Sequence, residues 1–291
     1  MQPIMDTSLW LAHKRRALAH PVDGADFLMR RTAEDLADRL GAVERRFVKA
    51  AALFCQTPAA AETLAESGKV ADIVRVETDT VFLSGGDLGL IAPLETVPFE
   101  AESLDLAVSL LSLQAMNDIP GMLIQIRRAL RPDGLFLGAF AGAGTLFELR
   151  ESLLAAETEL YGGASPRVAP FTDVRDAGAL LQRAGLALPV ADVETVTVRY
   201  ASLFNLMADL RAMGETNALT DRSRRPGSRK LFARAAEIYA ERFSDPDGRV
   251  RASFSIVWMS GWAPDASQQK PLKPGSAKIS LKAILEAPGG Q

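Results

Sequence analysis

Apolar positions along the chain change rhythm several times, and each change marks an element. Residues 6–50 read as two helices, the second carrying Phe27, Leu28, Leu36, Leu40 and Val43 at near-helical spacing among charges. Strand and helix patterns then alternate. Residues 51–55 and 72–77 are short apolar runs, and residues 104–113 ("LDLAVSLLSL") form a continuous one, as in a strand covered on both faces. That favours a parallel sheet.

Asp118 is placed to cap a helix whose Ile119, Met122, Leu123, Ile126 and Leu130 share one face, with Pro120 in the tolerant first turn and "RPDG" ending it. The strand "LFLGAF" follows. Thr145 and Glu148 then have capping-box spacing ahead of Leu149, Leu153 and Leu160, and a further helix closes at Gly185. From Val193 the period becomes two: Val196, Val198 and Tyr200 alternate with polar residues, as do Phe254, Ile256 and Trp258 far downstream. These runs suit an antiparallel pair at a sheet edge. Between them residues 202–213 and 227–243 read as helices, stopped by Gly214 and "DPDG".

The expected organisation is N-terminal helices (1–50), a core (51–200), a helical insertion (201–248), a final strand of the core (249–265) and a loosely attached tail (266–291) rich in Lys, Pro, Gly, Ser and Gln. The fold class is α/β: an open, doubly wound, mostly parallel Rossmann-like sheet with an antiparallel final hairpin. With 291 residues and 48% hydrophobic residues the chain can bury a large core. Its net charge of -3 gives no global attraction to nucleic acid or an anionic membrane, and no run approaches a membrane span. A lone Cys55 cannot form an internal disulfide, and two histidines make an ordinary zinc site improbable. An intracellular protein without a metal is the expectation.

The turn after the first strand, "CQTPAA", lacks the glycines that let a backbone approach a nucleotide cofactor, and Gln56, Thr57 and Pro58 obstruct that approach. An acid about 20 residues beyond such a turn usually takes the ribose hydroxyls, and Glu77 stands at that distance; its ordinary reading is a solvated strand end. Only "TDTVFLSGGDLG" follows before the next apolar stretch, too short for a normal crossover helix. His13 and His20, seven apart, could share a helix face, but a solvated or capping role is the commoner one, and no G-x-S-x-G motif is present.

At "LDLAVSLLSLQAMNDIPGMLIQIRRALRPDGLFLGAFAGAGTLFELRESL" the chain resembles the class I S-adenosylmethionine (SAM)-dependent methyltransferases. With "GGASPRVAPFTDVRDAGALLQRAGL", "DLRAMGETNA" and "GWAPDASQ" it looks like one branch, the respiratory complex I assembly factor 5 (arginine hydroxylase) family and its bacterial relatives; the biotin-pathway malonyl-carrier methyltransferases are a more distant match. The resemblance implies a methyltransferase-like fold and action on, or binding of, a protein. Two departures touch the expected pocket: "ALFCQTPAA" stands where relatives show "LDLGCGxG", and Gln114 and Ala115 replace His and Trp. Pro93 and Glu95 lie where relatives offer acids to the adenine, so only Glu95 could serve.

The candidate cofactor-binding residues are therefore Gln56, Thr57, Glu77, Glu95 and Gln114, with SAM binding expected to be weak or absent. Asn117, Glu215 and Asn217 are the catalytic candidates. Glu215 and Asn217, in a loop after Gly214, have no evident structural task, so their replacement is expected to affect function more than folding. Arg150, Asp209 and Arg211 are candidates for substrate contact, although surface ion pairing is the ordinary role of such arginines. "DRSRRPGSRK" concentrates Arg222, Arg224, Arg225, Arg229 and Lys230 against Asp221 alone, which suits an acidic protein partner better than nucleic acid, because no aromatics interleave. The alternatives are a cofactor-free assembly or binding module, and an active SAM-dependent methyltransferase of a small molecule or carrier protein. The expected location is the bacterial cytoplasm, or an organellar matrix in a eukaryote.

Overall fold

The computed structural model describes residues 2–83 and 89–269. Its elements run α1 (Thr7–Ala19), α2 (Phe27–Gly41), β1 (Phe47–Leu53), α3 (Ala59–Glu66), β2 (Val70–Glu77), β3 (Gly89–Ile91), β4 (Leu104–Leu110), α4 (Ile119–Ala129), β5 (Leu130–Ala141), α5 (Phe147–Tyr161), α6 (Val174–Arg183), β6 (Ala187–Tyr200), α7 (Leu203–Ala212), α8 (Arg229–Phe243) and β7 (Val250–Trp262). The described strands form one sheet in the order β3-β2-β1-β4-β5-β7-β6. β1 pairs in parallel with β2 and β4, β2 with β3, and β4 with β5, whereas β7 runs antiparallel between β5 and β6. This is the open doubly wound sheet with its antiparallel hairpin. The strand order reverses between β1 and β4, and in such sheets the crevice at that reversal is where ligands sit.

Alternation along the central strands separates two cores. On one face Ala51, Leu53 and Phe136 pack with Met122 and Ile126 of α4 and Leu181 of α6. On the other, Ala50, Ala52, Val108 and Leu137 pack with Leu36 and Leu40 of α2, Leu64 of α3 and Trp258. The middle of β1 is three consecutive alanines, Ala50, Ala51 and Ala52, and the small side chains of Ala50 and Ala52 meet the leucines of α2 and α3. A third core lies beyond the sheet's C-terminal edge, where Leu149 and Leu153 of α5, Leu206 and Leu210 of α7, and Ala235 and Tyr239 of α8 meet Phe254. α2 is tied to the far edge by Arg39, whose guanidinium lies 4.4 Å from the Trp258 ring and bonds Asp192 of β6 at 2.8 and 2.5 Å.

Several boundaries differ from the sequence expectation. β1 starts at Phe47, inside the segment assigned to the N-terminal helices, and β4 stops at Leu110, because Leu111 takes a left-handed conformation (φ 52°) and a 3-10 turn covers Leu113–Ala115. "RPDG" belongs to the irregular opening of β5, where Asp133 has φ 62° and the register to β4 shifts. Asp118 does cap α4, its carboxylate accepting the Gly121 N–H. The capping box at α5 does not form. Leu146, in a left-handed conformation, is its N-cap; Thr145 instead exchanges two 3.0 Å hydrogen bonds with the Ser255 backbone, and Glu148 accepts from the Ser253 hydroxyl at 2.6 Å and its N–H at 3.2 Å. Those side chains face the neighbouring strand β7, a partner no local spacing reveals. Between β2 and β3 the described part holds a single 3-10 turn, Thr80–Phe82. Of the predicted tail, residues 270–291 lie outside the described residues, while Gln268 is bonded to Asp133 and to the Ala263 carbonyl.

Candidate functional site

A cleft of about 910 Å3 opens over the C-terminal ends of β1, β4 and β5. Gln56 and Thr57 from the β1–α3 turn, and Leu111 and Gln114 from the turn after β4, line its sheet side; α1, the α1–α2 connection and α7 with the segment after it form the remainder. Backbone strain concentrates here. Phe54, Gln56, Leu111 and Leu146 are non-glycine residues with φ between 52° and 61°, each within a few residues of a strand's C-terminal end or the helix that follows. Each left-handed residue costs roughly 1–2 kcal/mol relative to a right-handed one, so the surrounding packing holds these turns in place. The turn after β1 thus keeps a left-handed path without glycines.

Glu77, at the end of β2, is fully buried and does not reach the cleft wall. Its Oε1 accepts the Gln56 N–H at 2.8 Å and lies 3.2 Å from Nη2 of Arg75, two residues earlier on the same strand face, while that Nη2 also donates to the Phe82 carbonyl at 2.6 Å. Burial pushes the carboxyl up to about 7, against the pull of Arg75 and of the Gln56 N–H. The sequence reading of Glu77 as a solvated strand end is therefore replaced by that of a buried support for the turn. Beside it, burial and the charge of Glu77 push the Cys55 thiol up to about 12, and its sulfur accepts the Leu110 N–H at 3.4 Å. Cys55 is a packing residue between β1 and β4.

The other sequence-predicted residues distribute unevenly. Gln114 lines the cleft and donates to the Leu111 carbonyl at 2.7 Å, leaving its side-chain oxygen, like that of Thr57, buried without a partner. Glu95 stands apart from the cleft wall: its carboxylate accepts the Asn117 N–H and its carbonyl the Gln125 amide at 2.9 Å. Asn117 itself pins the N-terminal segment, accepting from Ile4 and Met5 N–H at 2.9 Å and donating to the Met5 carbonyl at 3.0 Å. Glu215 and Asn217 both line the cleft, yet both carry structure. Glu215 meets Lys14 at 2.5 Å and Trp10 Nε1 at 3.4 Å; Asn217 bonds the Pro166 carbonyl at 2.9 Å and the Leu219 N–H at 3.0 Å.

Arg150 donates to the Ala169 carbonyl at 3.0 Å, and Asp209 accepts the Tyr200 hydroxyl at 2.8 Å; neither lines the cleft, whereas Arg211 does, and it makes no ion pair among the described residues. The basic run divides. Arg222 is tucked in, donating to the Leu219 carbonyl at 2.6 Å and to Asp6 at 3.1 Å, whereas Arg224 and Arg225 are exposed.

His13, which the sequence gives a solvated or capping role, is instead buried, and Trp10 and Lys14, which carry no motif, stand beside it. They lie one turn apart on the buried side of α1, where the Thr216 hydroxyl meets His13 Nδ1 at 2.6 Å, and burial holds His13 below its ordinary range. Arg167 borders the cleft as well, paired at 2.5 Å with Glu157, which Arg167 and Ser165 hold below the carboxylate range although burial works the other way. Nothing in local spacing links these residues, since each pair bridges distant segments.

A family model described as a methyltransferase domain matches residues 55–138, the stretch from the first turn to the middle of β5. The solved structure of YcgJ from Bacillus subtilis superposes with a TM-score of 0.54 at 13% identity, covering 80% of this chain and 99% of that one, a likeness of fold. The chain is a methyltransferase-fold protein. It is 39% identical over 266 residues to arginine-hydroxylase NDUFAF5, mitochondrial, of Homo sapiens, covering 88% of this chain and 75% of that protein, and 43% identical over 192 residues to the Danio rerio protein of that name. It belongs to the NDUFAF5 family. The match spans 60% of the Danio rerio protein's length. A malonyl-[acyl-carrier protein] O-methyltransferase of Laribacter hongkongensis is 36% identical over 184 residues, covering 63% of this chain and 59% of that protein.

Proposed function

We propose that this chain acts on or binds a protein partner, with an arginine side chain as its target, and that SAM binds it weakly or not at all. The target follows from the name arginine-hydroxylase that its relatives carry. The observation that carries the cofactor reading is the commitment of Glu77. A carboxylate that receives ribose hydroxyls must face the cleft, and this one is buried, faces Arg75 and holds the Gln56 N–H. Its Oε1 is committed to these two partners, and its Oε2, buried without a partner, lies away from the cleft wall, which supports a poor fit to the cofactor's ribose. Glu95, the candidate for the adenine, is engaged with Asn117 away from the cleft wall.

Losing two or three hydrogen bonds of about 1 kcal/mol each, at about 1.4 kcal/mol per tenfold, lowers affinity on the order of a hundredfold. The exposed Arg224, Arg225, Arg229 and Lys230 are the proposed contact for an acidic face of the partner. The proposed location is an organellar matrix in a eukaryotic source and the cytoplasm in a bacterial one; no helix among the described residues is long and apolar enough to cross a membrane.

Calorimetric titration of the ligand-free protein with SAM tests the cofactor reading. Very weak or absent binding is expected, and a low-micromolar dissociation constant restores an active methyltransferase to first place. Quantitative proteomics of a deletion strain tests the target: one arginine-bearing peptide should lose a modification, and an unchanged arginine proteome removes that reading.

A further inference from the structure

The cleft has two chemically different ends. At the sheet end lie Gln56, Thr57 and Gln114; away from it the wall is built from Leu149 and Leu153 of α5, Met207 and Leu210 of α7, Phe232 of α8 and Phe254 of β7. These six belong to, or pack against, the third hydrophobic core, so the far end is a hollow bordered by that core. Of its polar neighbours, Thr145 is engaged with Ser255 and the Arg167 Nη2 with Glu157, while Arg167 Nε is buried without a partner.

On these grounds we infer that the far end of the cleft is a binding site for a long hydrocarbon chain, acyl or isoprenoid, with an anionic head at Arg211.

Two physical arguments and the layout of α7 select this ligand. A peptide entering an apolar hollow brings a C=O and, except at proline, an N–H with every residue, and each must find a partner or be buried unsatisfied; a hydrocarbon chain brings none. An apolar wall gains most from an apolar guest that takes its surface out of water, and methionine, here Met207, adapts its shape to such a guest. Finally, Met207, Leu210 and Arg211 stand at i, i+3 and i+4, so α7 presents an apolar wall and, one turn on from Met207, an exposed cation with no ion pair among the described residues. Leu18 and Val22, 47% and 57% exposed, border the same cleft and would be covered by a seated chain. The inference does not rest on the SAM or arginine reading, and its test uses neither.

The probe is cis-parinaric acid, titrated into the full chain and followed by its fluorescence, with palmitate, octanoate and farnesyl phosphate as competitors. Saturable binding is expected, with affinity rising by up to about fourfold for each buried methylene, so that palmitate displaces the probe far better than octanoate. The better of palmitate and farnesyl phosphate names the source of the chain. Met207→Trp, which fills the hollow, should weaken binding by about tenfold or more at an unchanged melting temperature, and Val168→Trp repeats the test if that variant is unstable. Arg211→Gln should weaken it by about threefold, an effect that shrinks with salt. Non-saturable binding, no dependence on chain length, or indifference to both filling variants overturns the inference. So does displacement by a leucine-rich peptide that palmitate cannot reproduce.

Discussion

The Oε1 of Glu77 accepts the backbone N–H of Gln56 at 2.8 Å, so the carboxyl at the end of β2 props the turn that leaves β1. Burial raises this carboxyl from an ordinary 4.5 to about 7. The folded protein therefore holds the Glu77 proton more tightly than the unfolded chain. The stability this provides is fully present below pH 4.5 and is lost as pH rises through about 7, a change on the order of 3 kcal/mol. Glu77→Gln keeps an acceptor for Gln56 and cannot ionise. Between pH 5 and pH 8 the unfolding free energy from urea titration should fall by about 2–3 kcal/mol more for the wild type than for the variant; equal falls would show that Glu77 does not titrate in this window.

Gln56, at φ 61°, tests the strain in the same turn. Gly relieves roughly 1–2 kcal/mol of left-handed strain but returns about 0.5–1 kcal/mol through the unfolded chain. Gln56→Gly should therefore melt at or slightly above the wild-type temperature. SAM affinity should stay unchanged, because Glu77 still faces away from the cleft. Phe54→Ala, in the same turn but in the core, should cost about 3–5 kcal/mol by denaturant titration.

Glu215 and Asn217 were expected to be free of structural duty, and both bind distant segments. Glu215→Ala leaves the largely buried Lys14 ammonium without its carboxylate and removes the acceptor of Trp10. A loss of about 1–3 kcal/mol is expected, in place of the ordinary loop value near 0.5 kcal/mol or less. Lys14→Met combined with Glu215→Leu should recover part of it; a double variant as unstable as Glu215→Ala would place the cause elsewhere.

Charge reversal separates the arginines of the basic run. Arg222→Glu puts a carboxylate beside Asp6 and should destabilise by about 2 kcal/mol or more. Arg224→Glu with Arg225→Glu, both exposed, should change the melting temperature little and slow association with an acidic partner chiefly at low salt, where screening beyond about 10 Å is weakest. Equal capture by wild type and variant at low salt would leave these two arginines as solvated surface.

The order and kind of most elements followed from local physics. Alternation named β6 and β7 as an edge pair, continuous apolarity named β4 as a doubly covered strand, and Asp118, Gly185 and Gly214 marked helix ends, because each depends on neighbours within a few residues. The family resemblance was legible in residues 100–280 for the same reason, being carried by continuous segments. Other features depended on contacts across the chain. Thr145 and Glu148 have the spacing of a cap, but the unpaired N–H and hydroxyl of β7, which comes last in the sheet's chain order, offer them better partners. Glu77 has the position of a cofactor acid, but whether it faces the cleft or Arg75 is settled by packing between β1 and β2. The cleft itself is a product of tertiary structure, since its walls come from α1, α5, α7 and the strand ends, segments whose proximity is created only when the three cores close together.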